Sequence, residues 1–320
     1  MFEYALNTKE AANTVEHLAT HFPKNKHCEW CNRANLQAAP ARRVKPPPDQ
    51  GEKTIAKPMS HILGDHMVMG LRSEGQGGER NCLLLIDAHT GIEQAYPVNT
   101  KHHNHVRESL QQFHANRHPS TQTFFRSDCA RELIAAAREL GFTPDPSLPQ
   151  RKVHNARCEN RINTVKRGAR AALLQSGLPH RIWPECVQYI TDARTFTLPS
   201  LDDPNKTRFH SLTGESFSGK LIPFGALVYY RPYGANKSQL PLESWSKPGI
   251  LLGYSMRPGF KWSGAYRVLD YDKLQKRESS ALCVITVPEI KLPVKLKTLR
   301  QSMCFPLQQP ERKPQKLSNQ

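Results

Sequence analysis

The order of strand-like and helix-like segments between residues 59 and 205 constrains the fold of this chain most. In chain order they are strands at 61–70, 82–86 and 92–98, a helix at 104–114, a strand at 123–125, and helices at 130–140, 156–175 and 183–196. Segment 82–86 is a continuous apolar run, whereas the helices have apolar residues at spacings of three and four. Consecutive strands followed by a strand–helix unit and paired helices predict an α/β fold, a mixed sheet flanked by helices. Three prolines, Pro144, Pro146 and Pro149, predict a loop before the longest helix.

Composition divides the chain into five parts. We predict a His/Cys module at 1–37, a basic proline-rich linker at 38–58, a core at 59–205, a β-rich module at 206–290 and a tail at 291–320. The β-rich module has four short apolar runs separated by Pro, Gly and Lys, which is consistent with a small barrel. Because the tail has seven Lys or Arg against one acid and no periodicity, we predict that it is disordered.

Charge and cysteine content indicate the class of partner. The 320 residues include 45 Lys and Arg and 28 Asp and Glu, giving a net charge of +17. Such a chain gains affinity for DNA or RNA when its cations neutralise phosphates and release counterions. No apolar run approaches the ~18 residues that a membrane span needs, so we expect no membrane association. Without a secretory signal, the eight cysteines are expected to be thiols or metal ligands rather than disulfides.

Residues 17–31 predict a zinc site. The pattern is His17-x3-His21-x6-Cys28-x2-Cys31, in which the two histidines share one face of a helical turn. Two nitrogen and two sulfur ligands are typical of a closed, tetrahedral, structural zinc ion. His27 is an alternative to His21. A module this short buries little apolar surface, so zinc binding would supply its folding energy.

Three carboxylates lie where predicted elements begin or end. Asp65 is on the first strand, Asp128 is between a strand and a helix, and Glu159 is in the first turn of the long helix. Carboxylates that converge on one point bind Mg²⁺ or Mn²⁺ and leave positions open for phosphate oxygens. Two such ions can activate an attacking hydroxyl and stabilise the leaving oxygen of a phosphodiester.

The long helix combines an acid with several cations. At helical spacing, Glu159, Asn163, Lys166 and Arg170 share one face, and Arg167 lies beside them. This arrangement can hold a metal ion and contact DNA phosphates. Arg42 and Arg43 of the linker are further candidates for contact with DNA phosphates. The alternative is a solvated helix whose acid and bases form pairs one turn apart.

Several segments, in this order, resemble a copia-type retrotransposon integrase. After the His/Cys motif come GDH at 64–66, LIDAHTG at 85–91, SDCARE at 127–132, CENRIN at 158–163 and AALLQSGLP at 171–179. Segments 219–230 and 248–254 are similar to the SH3-like module that follows such cores. The resemblance covers most of residues 15–275.

The resemblance implies an RNase H-like core with a D,D-35-E-type triad, which would be Asp65, Asp128 and Glu159. Asp87 competes with Asp65, since it ends a more apolar strand, but the family's order of strands favours Asp65. The implied activity is DNA integration: processing of the 3′ end and strand transfer with Mg²⁺ or Mn²⁺, on element ends and target duplex. Lys166 would approach the DNA end. Such integrases act as multimers in the nucleus, after synthesis in the cytoplasm, so we expect a nuclear homo-oligomer.

The chain also departs from this family. Only 30 residues lie between Asp128 and Glu159, fewer than the family's usual 35 or so, and Cys129 stands where the family has Asn. Two alternatives therefore remain beside the integrase: a catalytically inactive, nucleic-acid-binding remnant of a retrotransposon polyprotein, and a related nuclease that cannot join DNA.

Overall fold

The computed structural model describes seven segments of the chain. They are residues 8–34, 57–115, 122–146, 156–232, 244–276, 284–293 and 304–308. Among these residues no helix is long and apolar enough to cross a membrane.

The N-terminal segment is a compact helical unit. A 3₁₀ turn, Ala11–Asn13, leads into helix α1, Val15–Thr20, and α2 follows at Glu29–Ala34. Thr14 begins α1 as its N-cap, because its side-chain oxygen accepts a hydrogen bond from the His17 backbone N–H at 3.2 Å. His21 ends α1 in the left-handed conformation, with φ 49°.

Five strands form the first sheet. They are β1 (His61–Val68), β2 (Asn81–Asp87), β3 (Glu93–Val98), β4 (Phe124–Ser127) and β5 (Thr143–Pro146). Their spatial order is β3-β2-β1-β4-β5. The pairs β1–β2 and β2–β3 are antiparallel, whereas the pairs β1–β4 and β4–β5 are parallel. The predicted mixed sheet is therefore confirmed.

Helices cover both faces of this sheet. They are α3 (His103–His114), α4 (Arg131–Glu139), α5 (Ala156–Ser176) and α6 (Trp183–Thr197). Alternate residues of β2 point to opposite faces. Leu83 and Leu85 pack with α3 and α4, whereas Leu84 and Ile86 pack with α5 and α6. The prediction of flanking helices is therefore confirmed as well.

The predicted loop at the proline-rich segment is wrong in part, because residues 143–146 form β5. This strand lies at the edge of the sheet and pairs Pro144 with Phe125 and Pro146 with Ser127. A proline lacks an N–H group, but an edge strand needs hydrogen bonds on one side only. Pro149 lies outside the described residues.

The second sheet is antiparallel. Its strands are β6 (Leu227–Tyr230), β7 (Lys247–Arg257), β8 (Lys261–Asp270), β9 (Val284–Val287) and β10 (Ile290–Lys291), in the order β10-β6-β7-β8-β9. Two short helices, α7 (Arg208–Thr213) and α8 (Tyr271–Lys276), add to the predicted strands. The sheet shares one apolar core with α5 and α6.

The tail is not entirely without structure. Residues 304–308 lie against the fold: the carbonyl oxygen of Cys304 accepts a hydrogen bond from the Leu227 N–H at 2.7 Å, and Phe305 and Leu307 pack on the core. The prediction of a disordered tail is wrong for this segment. Its apolar residues interrupt the basic composition on which the prediction was based.

Candidate functional site

The four predicted zinc ligands come together. His17 is on α1, His21 ends it, and Cys31 is on α2, with Cys28 just before that helix. All four are buried, and their ligand atoms lie within 4.8 Å of one another. His27, the alternative ligand, is exposed and is not one of them. In the part of the chain that the structure describes, this is the one such group of three or more His, Cys, Asp or Glu residues.

The spacing of these atoms fits a tetrahedral ion. The Cys28 sulfur lies 3.7 Å from Nδ1 of His21, and the Cys31 sulfur lies 3.6 Å from Nε2 of His17 and 3.8 Å from Nδ1 of His21. Zinc bonds of ~2.3 Å to sulfur and ~2.0 Å to nitrogen, at the tetrahedral angle, separate the two kinds of ligand by ~3.6 Å. The buried His₂Cys₂ group could therefore bind zinc.

The protonation states of these residues also suit a cation. Hydrogen bonds from Cys31, His17 and His21 hold the pKa of Cys28 far below its usual value, although burial opposes them. The neighbouring thiolate and burial raise the pKa of Cys31. Burial lowers the pKa of His21, which keeps the imidazole neutral, although the Cys28 and Gln175 side chains oppose this effect. A thiolate and a neutral imidazole are the forms that bind zinc.

Asp65 lies on β1, and Asp128 immediately follows the end of the adjacent strand β4. In the parallel pair, the last register position joins Leu63 of β1 to Arg126 of β4. Asp65 and Asp128 each follow two residues later, so they lie at about the same level, and neighbouring strands are ~4.8 Å apart. Both side chains are half-buried. The Asp128 carboxylate accepts a hydrogen bond from the Ala130 N–H at 3.1 Å, in the turn that precedes α4.

Glu159 reaches this region from α5. Asp65 shares a face of β1 with Leu63 and Met67, and those residues pack in the same core as Cys158 of α5. Burial raises the pKa of the Cys158 thiol, and the negative charges of Asp65 and Glu159 both add to the effect. Cys158 is therefore close enough to both carboxylates to respond to their charge.

The three carboxylates are not assembled as closely as the zinc ligands. Among the described residues, Asp65, Asp128 and Glu159 do not form a group with all ligand atoms within 4.8 Å. Glu159 is exposed to solvent in the first turn of α5. The three acids therefore do not form a closed cage of oxygens among the described residues.

Asp87, the competitor of Asp65, has a structural role. It is fully buried, and its carboxylate accepts hydrogen bonds from the Met59 N–H at 2.9 Å, the Thr90 N–H at 3.0 Å and the Thr90 hydroxyl at 2.7 Å. These bonds close the turn between β2 and β3. Little of the carboxylate is left to hold a metal ion.

A buried cluster of one glutamate and three arginines was missed by the sequence. Glu93, at the start of β3, is fully buried and pairs with Arg194 of α6, with Arg161 of α5 at 3.0 Å and with Arg208 of α7 at 3.5 Å. We call these four residues the Glu93 cluster. The available signal was an acid at the start of a strand that has no other charged residue. The arginine partners of Glu93, however, are 68 to 115 residues away in the chain. The cluster ties the helix that bears Glu159 to the sheet.

The predicted DNA-contacting residues of α5 lie on its outer side. Asn163, Arg167 and Arg170 are exposed, and Lys166 is half-buried. Arg170 has a further contact, since its Nη1 donates a hydrogen bond to the Ala34 carbonyl of α2 at 2.8 Å. Arg42 and Arg43 lie outside the described residues.

The second sheet exposes an aromatic and cationic patch. Tyr229 is 38% exposed and Trp245 is 49% exposed, and the Arg231 guanidinium lies 4.3 Å from the centre of the Trp245 ring. Aromatic rings beside arginines can stack on bases and contact phosphates. By contrast, Tyr230 is buried and donates a hydrogen bond to Asp270 at 2.9 Å.

Comparison with known proteins shows a distant likeness to solved structures. No model of a known protein family matches the chain, and no curated protein matches it significantly. Among solved structures, the intasome of simian T-cell lymphotropic virus, determined in complex with the PP2A regulatory subunit B56 gamma, matches with a TM-score of 0.36 and 14% sequence identity. The match covers 75% of this chain and 83% of that chain.

The His₂Cys₂ group predicts one zinc ion per chain. We expect Cys31→Ser to abolish stoichiometric zinc, measured by metal analysis of the purified protein. We expect the zinc-binding chain to lose helical circular dichroism under a strong chelator, because the ion supplies the folding energy of the unit. Cys129→Ser, at an exposed cysteine outside the group, is the matched control and should retain the ion. Full zinc content in Cys31→Ser would contradict the assignment.

The Glu93 cluster predicts a strong, pH-dependent contribution to stability. Burial alone would raise the pKa of Glu93, but the charges of Arg194, Arg161 and Arg208 outweigh it and lower the pKa. The stabilisation is therefore present above the unfolded-state pKa of ~4.3 and is lost as the pH falls through the folded-state value. We expect Glu93→Gln to lower the free energy of unfolding by ~3–5 kcal/mol at pH 7, since it leaves buried arginines uncompensated.

The measurement is urea denaturation at several pH values, with exposed Glu108→Gln of α3 as the control, expected to change stability by less than ~0.5 kcal/mol. The difference between Glu93→Gln and the natural protein should shrink on acidification. A constant difference from pH 7 down to the acid transition would show that the Glu93 charge is not responsible.

Proposed function

We propose that this chain is an integrase-like DNA strand transferase, related to the copia-type retrotransposon integrases that its motifs resemble. The single observation that carries the proposal is the arrangement of three elements: Asp65 lies on β1, the parallel strand β4 ends immediately before Asp128, and α5, which bears Glu159, packs against β1. A strand order of β3-β2-β1-β4-β5, with three antiparallel strands followed by parallel ones, supports an RNase H-like core. The second sheet, which is antiparallel, supports the β-rich character of the proposed SH3-like module.

The residues present fit divalent metal ions in part. A half-buried carboxylate on β1, another just after the end of β4 and an exposed one on α5 supply oxygen ligands only, which Mg²⁺ and Mn²⁺ prefer. When bound, such ions would activate the attacking hydroxyl and stabilise the leaving oxygen. Asp65 and Asp128 would hold them from the rigid sheet, and Glu159 would complete the site from α5.

The protein residues around the carboxylates would bind and orient DNA. Lys166 and Arg167 lie two turns along α5 from Glu159, where they can neutralise phosphates of a DNA end. In strand transfer, the 3′-hydroxyl oxygen of that end forms a bond to a phosphorus of the target strand. The bond from this phosphorus to the target's 3′ oxygen breaks, and that oxygen gains a proton. The number of phosphodiester bonds is unchanged, so the step needs no energy source.

The remaining modules support the same role. A zinc-filled His₂Cys₂ group would hold the N-terminal unit together, and Arg42, Arg43 and the patch of Tyr229, Arg231 and Trp245 would contact DNA. The proposal includes self-association, because joining two ends to one target requires more than one active site, and a nuclear site of action, where chromosomal DNA is found.

A second candidate is a DNA-binding remnant without catalytic activity. The observation that favours it is the spacing of the three carboxylates, which are not gathered within 4.8 Å among the described residues. The short connection between Asp128 and Glu159 agrees with it. Titration of Mn²⁺ by calorimetry separates the two: binding that is lost in Asp128→Asn supports the enzyme, and no binding to the natural protein supports the remnant.

The strand-transfer proposal predicts joined DNA products. Incubated with Mg²⁺ or Mn²⁺, duplex oligonucleotides with free 3′-hydroxyl ends and supercoiled plasmid should yield joined molecules on a gel. We expect Glu159→Gln to reduce joining by ~10³-fold or more, because one metal ligand is lost. Glu139→Gln, at an exposed glutamate of α4, is the matched control.

Equal joining by Glu159→Gln and the natural protein would refute the assignment of this residue. Nicked plasmid without joined products would instead identify a nuclease.

The cationic face of α5 predicts salt-dependent DNA binding. We expect Lys166→Ala and Arg167→Ala each to lower the slope of log K against log salt concentration by ~0.9, the effect of one lost phosphate contact on duplex DNA. Fluorescence anisotropy with a labelled duplex at several salt concentrations measures the slope. Arg80→Ala, which removes an exposed arginine paired with Glu74 at 3.1 Å, should leave the slope unchanged. Equal slopes for all variants would place the DNA elsewhere.

A further inference from the structure

The zinc-binding unit is packed tightly on α5. Arg170 donates its hydrogen bond to the last residue of α2, and Ala19 of α1 is fully buried in the main core. At Gly168, a Cβ atom would lie 3.2 Å from the Thr20 carbonyl oxygen, so the glycine permits the close approach of α1 to α5. The unit therefore packs as part of the folded core and is not a separate domain joined only by a linker.

Two residues at this junction have polar atoms without a hydrogen bond of normal geometry. Within the described residues these are Nε2 of His21 and both amide atoms of Gln175, which is on α5. His21 is 6% exposed and Gln175 is 0% exposed. A buried polar group without a partner costs ~1–3 kcal/mol, so two on adjacent elements call for an explanation. The Gln175 side chain lies within hydrogen-bonding reach of His21.

The coordination chemistry of His21 supplies that explanation. Its Nδ1 faces both cysteine sulfurs, at 3.7 and 3.8 Å, so this nitrogen is the one that can bind the metal. A neutral imidazole that binds a metal through Nδ1 carries its proton on Nε2. Metal-binding histidines almost always donate this second N–H group to an oxygen, which fixes the tautomer and the ring orientation.

We propose that Gln175 is the outer-sphere partner of the zinc site: its Oε1 accepts a hydrogen bond from Nε2–H of His21 when the ion is bound. Gln175 is thus a positioning residue that acts through His21. The inference rests on the proposed zinc binding. It also means that the metal centre is completed by the catalytic-core helix α5, 144 residues further along the chain than Cys31.

The test compares zinc affinities of full-length variants by competition with a chromophoric chelator at fixed pH. Gln175→Met keeps an unbranched side chain of similar length but removes the acceptor, and we expect zinc to bind 10- to 100-fold more weakly. Gln175→Glu keeps an acceptor oxygen, and we expect affinity equal to or tighter than that of the natural protein. Gln188→Met, on α6, is the matched control, because Gln188 accepts its hydrogen bond from Arg267 at 2.8 Å and should leave zinc affinity unchanged.

A second readout distinguishes positioning from general loss of stability. In a long-range ¹H–¹⁵N spectrum of the zinc-loaded protein, His21 should carry its proton on Nε2, and this proton should exchange with water faster in Gln175→Met. Affinity in Gln175→Met within twofold of the natural value, or a more than tenfold weaker Gln175→Glu, would overturn the inference while zinc binding itself stands. If Gln175→Met does not fold, the zinc affinity of Gln175→Glu alone decides between the two outcomes. Absence of zinc binding in the natural protein would remove both proposals.

Discussion

The packing of this protein depends on one buried carboxylate. Glu93 begins the edge strand β3, and its charge is the common partner of arginines from α5, α6 and α7. Removal of this one acid would leave several guanidinium groups in the core without compensation. The same arginines extend the cluster outward, since the Arg194 guanidinium also lies 4.8 Å from the Phe22 ring of the N-terminal unit. The first sheet, α5 and the N-terminal helical unit are therefore joined at one electrostatic centre, and the orientation of α5 depends on it.

The two candidate metal sites differ in how closely the fold brings their ligand atoms together. Four soft and borderline ligands lie at tetrahedral spacing in the His₂Cys₂ group, because α1, α2 and the turn between them are short and mutually packed. The three carboxylates repel one another, and hard ions with several water ligands tolerate a more open site.

Features were predictable from the sequence when the interacting residues lie close together along the chain. The strands around Leu84 and the helices were predictable, because hydrophobic periodicity is local, and the zinc ligands were too, because His17 and Cys31 lie within 15 residues. The edge strand at Pro144 was missed, since proline is normally a breaker and edge position is a tertiary property. The Glu93 cluster and Gln175 were missed for the same reason: their partners are distant in the chain and no short motif marks them.

The role of Asp87 shows why spatial context must decide between chemically equal candidates. Asp65 and Asp87 are both aspartates on adjacent antiparallel strands, and the more apolar strand made Asp87 attractive. The carboxylate of Asp87 is saturated by N–H and O–H donors of its own turn, with 2.7 Å for the Thr90 hydroxyl. A metal ion would have to displace these donors and then would sit at 0% exposure, where no DNA phosphate could reach it. Asp65, by contrast, is half-buried on β1, beside the strand that leads to Asp128, so its carboxylate keeps the exposure that a site shared with DNA would need.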